Sequence, residues 1–137
     1  MKKFLTVAAT LLLTLTAFAQ TPDLKAKAEA DIAKLPGAWK AVLDNPMDGG
    51  TFEGALQFIK DDKGVHLEME IENLNKFVSA PLQAQENGKI TTSFTVEDYD
   101  VVILNTITLT GDDAGEIVQE VKDMNMVMKG KLTRIKK

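Results

Sequence analysis

The chain has 137 residues with 16 basic and 20 acidic side chains, no cysteine and a single arginine. This length suits one domain with one hydrophobic core. The excess of acidic residues argues against nucleic acid and against anionic membrane surfaces as partners, because phosphate contacts need a basic face. Without cysteine there are no disulfides, so burial and strand hydrogen bonds must stabilise the fold.

Residues 1–19 have the pattern of a cleaved signal peptide. Lys2 and Lys3 precede an apolar run, and Ala17-Phe18-Ala19 has the small-x-small form of a cleavage site. The alternative is a membrane anchor, but the 16 residues from Phe4 to Ala19 are fewer than the roughly 20 that a spanning helix needs. We therefore expect an exported protein, periplasmic or extracellular, whose mature chain begins at Gln20 and has no membrane span.

The segment 20–36 predicts one helix, which would cover one end of the domain that follows. Thr21 is a suitable N-cap and Pro22 suits the first helical position. Pro36 and Gly37 end the helix. Apolar residues recur at spacings of three and four and form a narrow stripe that must dock on the domain: Leu24, Ala28, Ile32 and Leu35.

From residue 37 onward the hydrophobic period changes from 3.6 to 2, which indicates strands with one buried and one exposed face. The stretch 65–72, "VHLEMEIE", shows the alternation most clearly. Eight strands are predicted in all, at 37–44, 52–59, 65–72, 78–85, 89–97, 100–110, 115–121 and 126–135.

Short turns connect these strands. Asn87-Gly88 predicts a two-residue hairpin turn with positive φ at both positions, and the stretch 61–64, "DDKG", predicts a four-residue loop. Further turns are expected at 111–113 and 123–125. Pro81 lies inside the fourth predicted strand and indicates a bulge or a poorly paired stretch there.

Eight strands joined by short turns, with no helical pattern between them, favour an all-β fold: an up-and-down antiparallel barrel over residues 37–137, preceded by the helix. In a closed barrel of this kind the last strand lies antiparallel to the first. Trp39 opens the first strand and Arg134 closes the last, and both are in phase with inward-facing residues. We expect the guanidinium to lie over the indole and to close that end of the barrel.

Gly37, Trp39 and Arg134 together resemble the lipocalin, or calycin, family, in which a leading helix, a Gly-x-Trp motif, a β-meander and a late basic residue packed on the Trp occur in this order. The likeness in layout extends over residues 21–137. The Gly-x-Leu-x-Phe pattern of Gly54, Leu56 and Phe58 is also similar to a strand pattern in small lipocalin-like domains of exported bacterial proteins. The resemblance implies a β-barrel with a central lumen, but this chain is shorter than a typical lipocalin. The alternative is that Trp39 is simply a large core residue and Arg134 part of a basic tail.

No catalytic or metal-binding pattern stands out. Ser79 and Ser93 lie in no nucleophile motif, and His66, the single histidine, is placed on the exposed face of its strand. A zinc site is implausible with one histidine and no cysteine. The stretch 44–50 has only part of a calcium-loop ligand set. We expect no enzyme activity, no cofactor and no metal, while a hydrolase or isomerase remains a minor alternative that depends on His66.

The interior indicates a function instead. Inward-facing positions are apolar except for Asn105 and, by the same pattern, Gln119. Such a lumen would suit a small hydrophobic molecule with one polar end, although side chains can also fill an eight-stranded barrel completely.

The first hypothesis is a non-catalytic binding protein whose lumen is lined by Phe52, Phe58, Met69, Phe94, Asn105 and Met126. The second is a filled barrel that acts as an inhibitor or adaptor, through an acidic outer stripe of Glu53, Glu68, Glu70 and Glu72; the sequence names no protein partner.

Overall fold

The computed structural model describes residues 23–70, 76–96 and 100–136. The proposed signal peptide, Thr21 and Pro22 lie outside the described residues, as does Glu72. Within these residues, one α-helix, α1 (Leu24–Lys34), precedes nine strands, and a 3₁₀ helix (Lys122–Met124) lies between the last two. The strands are β1 (Gly37–Asp44), β2 (Thr51–Asp61), β3 (Gly64–Glu70), β4 (Lys76–Val78), β5 (Gln83–Ala84), β6 (Ile90–Val96), β7 (Val101–Leu109), β8 (Ala114–Val121) and β9 (Met126–Arg134).

Helix α1 begins two residues later than its sequence suggested. Asp23 is the N-cap, and its Oδ1 accepts a hydrogen bond from the Ala26 amide at 3.1 Å, as aspartate does at helix starts. Ala28 and Leu35 are buried, but Leu24 is 42% exposed, although its spacing had assigned it to the docking stripe. The helix therefore docks on the barrel through the face that carries Ala28, Asp31 and Leu35.

All strand pairs are antiparallel, and the described part of the sheet has the order β4-β3-β2-β1-β9-β8-β7-β6-β5. The first and last strands are neighbours, and Trp39 pairs with Arg134 in their register. This confirms the predicted antiparallel barrel fold and the pairing of its first and last strands. The ladder of the described strands is not closed, however, because β4 and β5 form its two edges and do not pair with each other. The fourth predicted strand is divided into β4 and β5, so the described residues form nine strands instead of the predicted eight.

Pro81 lies in the gap between β4 and β5, and the residues around it bridge the two sides of the barrel. On one side, the Ser79 amide donates to the Leu67 carbonyl at 2.8 Å and the Leu82 amide donates to the Val65 carbonyl at 2.7 Å. Both acceptors belong to β3. The residues beside the proline therefore continue the hydrogen bonding of β3 where the regular ladder with β4 stops.

On the other side, the Ala80 amide donates to the Ser93 carbonyl of β6 at 3.0 Å. The Thr92 hydroxyl donates to the Ala80 carbonyl. Pro81 itself has no amide proton to contribute, which accounts for the break in the ladder. We call residues 79–82 the seam of the barrel. Individual hydrogen bonds join this segment to β3 and to β6, in place of a continuous strand.

Two turns differ in detail from their sequence signals. Between β5 and β6, only Gly88 has a positive φ, +84°, and Asn87 does not. The Gly88 amide donates to the Gln85 carbonyl at 3.0 Å, so the loop has three residues and ends in a left-handed glycine instead of forming the expected two-residue turn. Between β2 and β3, the turn consists of Asp62 and Lys63 only and is shorter than the predicted four-residue loop. Both strands extend further than the alternation of apolar residues indicated.

The two ends of the barrel differ in their packing. At the helix end, α1 covers a core of large side chains that are less than 2% exposed, among them Trp39, Phe58, Leu67, Ile107 and Leu132. We call the opposite end, where β1, β3 and β8 finish and β2 and β9 begin, the far end. Several inward side chains near it are only partly buried. Any binding site inside the barrel must therefore lie towards the far end.

Candidate functional site

The helix end is closed by Arg134, whose guanidinium carbon lies 4.5 Å from the centroid of the Trp39 ring. The Trp39 indole N–H in turn donates to the Leu35 carbonyl at 2.8 Å, and its ring meets Phe58 edge-on with the centroids 6.3 Å apart. The predicted pairing is confirmed, and the alternative in which Arg134 belongs to a basic tail is wrong. The lumen is closed and filled at this end.

Arg134 also binds the end of the helix. Its terminal nitrogens donate to the Pro36 carbonyl at 3.1 Å and to the Lys34 carbonyl, and its Nε donates to Asp113 Oδ1 at 3.1 Å. The last carbonyls of a helix lack partners within the helix and carry a partial negative charge, which a guanidinium satisfies well. One side chain therefore joins α1, the β7–β8 turn and β9.

Two buried amide side chains lie side by side on one wall of the lumen, and one of them reaches towards the opposite wall. Gln119 of β8 is 3% exposed and Asn105 of β7 is 1% exposed. The two residues are cross-strand neighbours, and Gln119 Nε2 donates to Asn105 Oδ1 at 2.8 Å. The same nitrogen lies 4.0 Å from the sulfur of Met69 on β3, on the opposite wall. We call Asn105 and Gln119 the amide pair.

The amide pair keeps some hydrogen-bonding capacity. Asn105 Nδ2 reaches the Ile103 carbonyl only at 3.5 Å, which is long for a hydrogen bond. Gln119 Oε1 accepts none of the side-chain hydrogen bonds found in the described residues, and it is not one of their fully buried unpartnered atoms, so it keeps some accessible surface. Buried amides usually satisfy both their donors and their acceptors. The pair can therefore accept, and weakly donate, a hydrogen bond on a molecule that enters from the far end.

Apolar side chains of intermediate burial lie level with the amide pair or nearer the far end. They pack against the core yet are not covered completely: Met69, Phe77, Ile103 and Met128. Met126 is also half-buried, and Phe94 is 1% exposed. Thioethers in such positions give a wall that adapts its shape, because methionine has three rotatable side-chain bonds and no branching.

The structure divides the six predicted lining residues among three places. Phe58 belongs to the filled helix end, beside Trp39. Phe94, Met69 and Asn105 surround the middle of the lumen together with Gln119, and Met126 lies nearer the far end. Phe52 differs from expectation, since its side chain is 49% exposed. Residues 51–55 of β2 are all exposed and, in the described chain, pair only with β1. A side chain that faces inward by alternation, such as Phe52, is therefore not buried in this part of β2.

The outer face of β3 is less negative than its run of glutamates suggested. Lys76 Nζ lies 2.7 Å from Glu68 Oε2, and His66 Nε2 lies 3.6 Å from Glu68 Oε1. The hydrogen bond from Lys76, helped by His66, lowers the pKa of Glu68, and Glu68 raises the pKa of Lys76. Glu53 is paired with Lys40 at 3.3 Å. The predicted acidic stripe is therefore partly neutralised by neighbouring cations.

A second concave feature lies outside the barrel, on β1, β8 and β9. This groove has a volume of about 300 Å³. Outward-facing side chains form most of its lining: Val42, Asp44, Glu116, Val118, Lys129 and Lys131. The sheet separates this groove from the lumen.

Comparison with known proteins identifies only the fold. No family model and no curated protein matches the chain. A redesigned β-barrel, b11L5F_LGL, matches with 17% identity and a TM-score of 0.59, over 77% of this chain and 96% of that chain. Another redesigned barrel, mFAP1, bound to DFHBI, matches with 16% identity and a TM-score of 0.56, over 76% and 98%.

A fluorescence-activating β-barrel designed de novo matches with 12% identity and a TM-score of 0.53, over 76% of this chain and 96% of that chain. This likeness establishes the fold. In the described part of the chain, no helix is long and apolar enough to cross a membrane.

Proposed function

We propose that this chain is an exported, lipocalin-like, non-catalytic protein that binds a small apolar molecule in the far half of its barrel. The observation that carries this proposal is the buried amide pair, which lies between a filled half and a half with partly covered apolar walls. Ligand sites in barrels commonly combine an apolar wall with a few polar groups that fix orientation. Asn105 and Gln119 would bind the polar end of the ligand.

The solved structures of similar fold are in keeping with this role. The mFAP0 and mFAP1 barrels are described as bound to DFHBI, so barrels of this size and layout can hold a small molecule. Export is supported by the pattern of residues 1–19, and the lipocalin-like layout by the contact of Arg134 with Trp39.

The placement of the nucleophilic and basic side chains supports a non-catalytic role. The Ser79 hydroxyl accepts from the Leu67 amide at 2.8 Å and donates to the Ala80 carbonyl at 2.7 Å, so it serves the seam of the barrel. His66 Nδ1 lies 3.1 Å from Asp61 Oδ2 on the outer face. Neither side chain forms the nucleophile–base pair that covalent catalysis requires.

Binding can be tested with Nile red, whose fluorescence rises in an apolar site. We expect saturable binding to the purified protein. Met128→Trp should block it by filling the far half of the lumen. Val127→Trp is the matched control, because the neighbouring side chain faces outward and is 45% exposed, and it should leave binding intact. An absence of saturable binding, or an equal loss in both variants, would refute the proposal.

The role of the amide pair needs a separate test. Two ligands of similar shape, 1-naphthol and 1-methylnaphthalene, differ in one hydroxyl group. The wild-type protein should prefer the naphthol about fivefold, which corresponds to one net hydrogen bond of about 1 kcal/mol. Gln119→Leu should abolish the preference while retaining affinity for 1-methylnaphthalene. If the preference persists in this variant, the amide pair does not orient the ligand.

A further inference from the structure

All five methionines in the described part of the chain lie level with the amide pair or closer to the far end. Met69 is on β3 and Met126 and Met128 are on β9, while Met47 and Met124 lie in the turns at that end. The chain has no cysteine. Among the described residues, His, Asp and Glu form no group of three that could hold a metal ion. The far half of the lumen is therefore rich in one kind of metal donor, the thioether.

Three of these methionines share the interior. The Met69 sulfur lies 4.0 Å from Gln119 Nε2, so it reaches across the lumen towards β8. Met128 is the cross-strand neighbour of Gln119 on β9, and side chains in such pairs start about 5 Å apart. Met126 follows two residues away on the same face of β9. All three side chains are partly buried.

These positions allow the three sulfurs to approach one point above Gln119. The methionine side chain is unbranched and has three rotatable bonds, so small rotamer changes move the sulfur by several ångströms without moving the strands. Met69 comes from one wall of the barrel and the other two from the opposite side. The donors would therefore surround a bound ion instead of approaching it from one side.

Thioethers are soft, uncharged donors, and they select Cu(I) and similar ions over Mg²⁺, Ca²⁺ and Mn²⁺, which prefer oxygen. A monovalent ion also suits a partly buried site better than a divalent one, because the cost of removing an ion from water rises steeply with its charge. We propose that Met69, Met126 and Met128 form a binding site for a soft monovalent cation of the Cu(I) and Ag(I) class.

This site goes beyond the proposed function, although it lies at the same end of the barrel. Methionines also line cores simply as adaptable apolar side chains. Leucine separates the two roles, since it has a similar volume and no sulfur. Met→Leu variants should therefore retain Nile red binding and lose the cation.

The test uses Ag(I) as its nitrate in chloride-free buffer, because Ag(I) needs no reductant. Calorimetry should show saturable binding of one ion per chain. Met126→Leu and Met128→Leu should each weaken Ag(I) binding by about tenfold or more. Residues that only support a metal ligand already change the affinity by about that factor, so removal of a ligand should do no less. Met47→Leu is the control, because this side chain is 81% exposed, and it should bind Ag(I) as the wild type does.

The methionine methyl signals in the NMR spectrum of the wild-type protein give a readout that does not depend on the folding of any variant. Those of Met69, Met126 and Met128 should shift together on addition of Ag(I), and that of Met47 should not. The absence of saturable binding, equal shifts for all five methionines, or unchanged affinity in Met126→Leu and Met128→Leu would overturn the proposal. Loss of Nile red binding alone would count against the apolar ligand and not against the cation.

Discussion

The Arg134 guanidinium lies over the Trp39 ring and at the same time donates hydrogen bonds to the carbonyls of Lys34 and Pro36. The side chain of the last strand thus holds both the first strand and the helix that precedes it. A single arginine in the chain is enough because its planar group has donors on several edges and a flat face for the indole.

Arg134→Lys should lower the free energy of unfolding by about 2 kcal/mol, because an ammonium cannot serve these acceptors and stack on the ring at once. Chemical denaturation followed by Trp39 fluorescence would measure it. Lys129→Ala is the control, since this exposed side chain lies on the same strand and forms no ion pair among the described residues, and stability should hardly change. Equal stability of Arg134→Lys and the wild type would show that the contact is incidental.

Gly130 marks a close approach of β9 to β1. A Cβ built there would overlap the Val42 carbonyl oxygen and would lie 2.7 Å from Leu43 Cδ2 and 3.0 Å from Leu43 Cα. Much of this obstruction is backbone, so it cannot yield as a flexible side chain would. Gly130→Ala should cost about 2 kcal/mol or more in stability.

Gly54→Ala is the matched control, because it lies on β2, the other neighbour of β1, and a Cβ there would meet nothing within 4 Å. We expect a neutral or slightly stabilising effect, since alanine restricts the unfolded chain. Thermal denaturation of both variants would suffice. A destabilisation of the same size at both positions would mean that β9 does not approach β1 unusually closely at Gly130.

Ser79 holds the seam of the barrel beside Pro81. Ser79→Ala would leave the buried Leu67 amide without its side-chain partner at a cost of about 1–2 kcal/mol, and hydrogen exchange of that amide should accelerate. Ser93→Ala is the control, because the Ser93 side chain makes no hydrogen bond among the described residues. If the Leu67 amide stays protected in Ser79→Ala, the seam is maintained by the backbone alone.

The pH dependence of stability should reveal the ion pairs at the helix end. Lys136, and after it Arg134, lower the pKa of Asp113 below its ordinary value of 3.8. A carboxyl whose folded-state pKa is depressed stabilises the fold above its unfolded pKa, and this stability is lost as the pH falls through the folded pKa. Wild-type stability should therefore fall below about pH 4 more steeply than that of Asp113→Asn.

Lys136→Ala should give an intermediate slope in the same acid titration, since it removes the larger cause of the shift and leaves Arg134. Circular dichroism melts between pH 2 and 6 would record all three curves. Parallel curves for the wild type and Asp113→Asn would show that the carboxyl contributes nothing to acid stability.

The sequence allowed the barrel fold and the pairing of its first and last strands to be predicted because both depend on local signals. Alternation with period 2 assigns each side chain to a face, and strand order in a meander follows chain order. Trp39 and Arg134 could therefore be paired before their contact was seen. Pro81 likewise indicated the break in the fourth strand, because a missing amide proton is visible in the sequence.

The contacts that depend on chain geometry could not be predicted. The alternation does not reveal that β2 extends past its described partners at Phe52, or that the Gln119 side chain spans the lumen to reach Met69. Lys76 was not foreseen as a neighbour of Glu68, since their pairing depends on the register of β4. The sequence did indicate Gln119, because it is a polar residue in an inward phase. In the structure its side chain contacts both Asn105 and Met69.

The central claim is that a small apolar ligand enters the far half of the lumen and reaches the amide pair. The most direct measurement is a two-dimensional ¹⁵N NMR titration of the protein with 1-naphthol. We predict that the side-chain amide signals of Asn105 and Gln119 shift in a saturable manner while the Trp39 indole signal stays in place. Shifts confined to Val42 and Val118 on the outer groove, with the amide pair unaffected, would contradict the account.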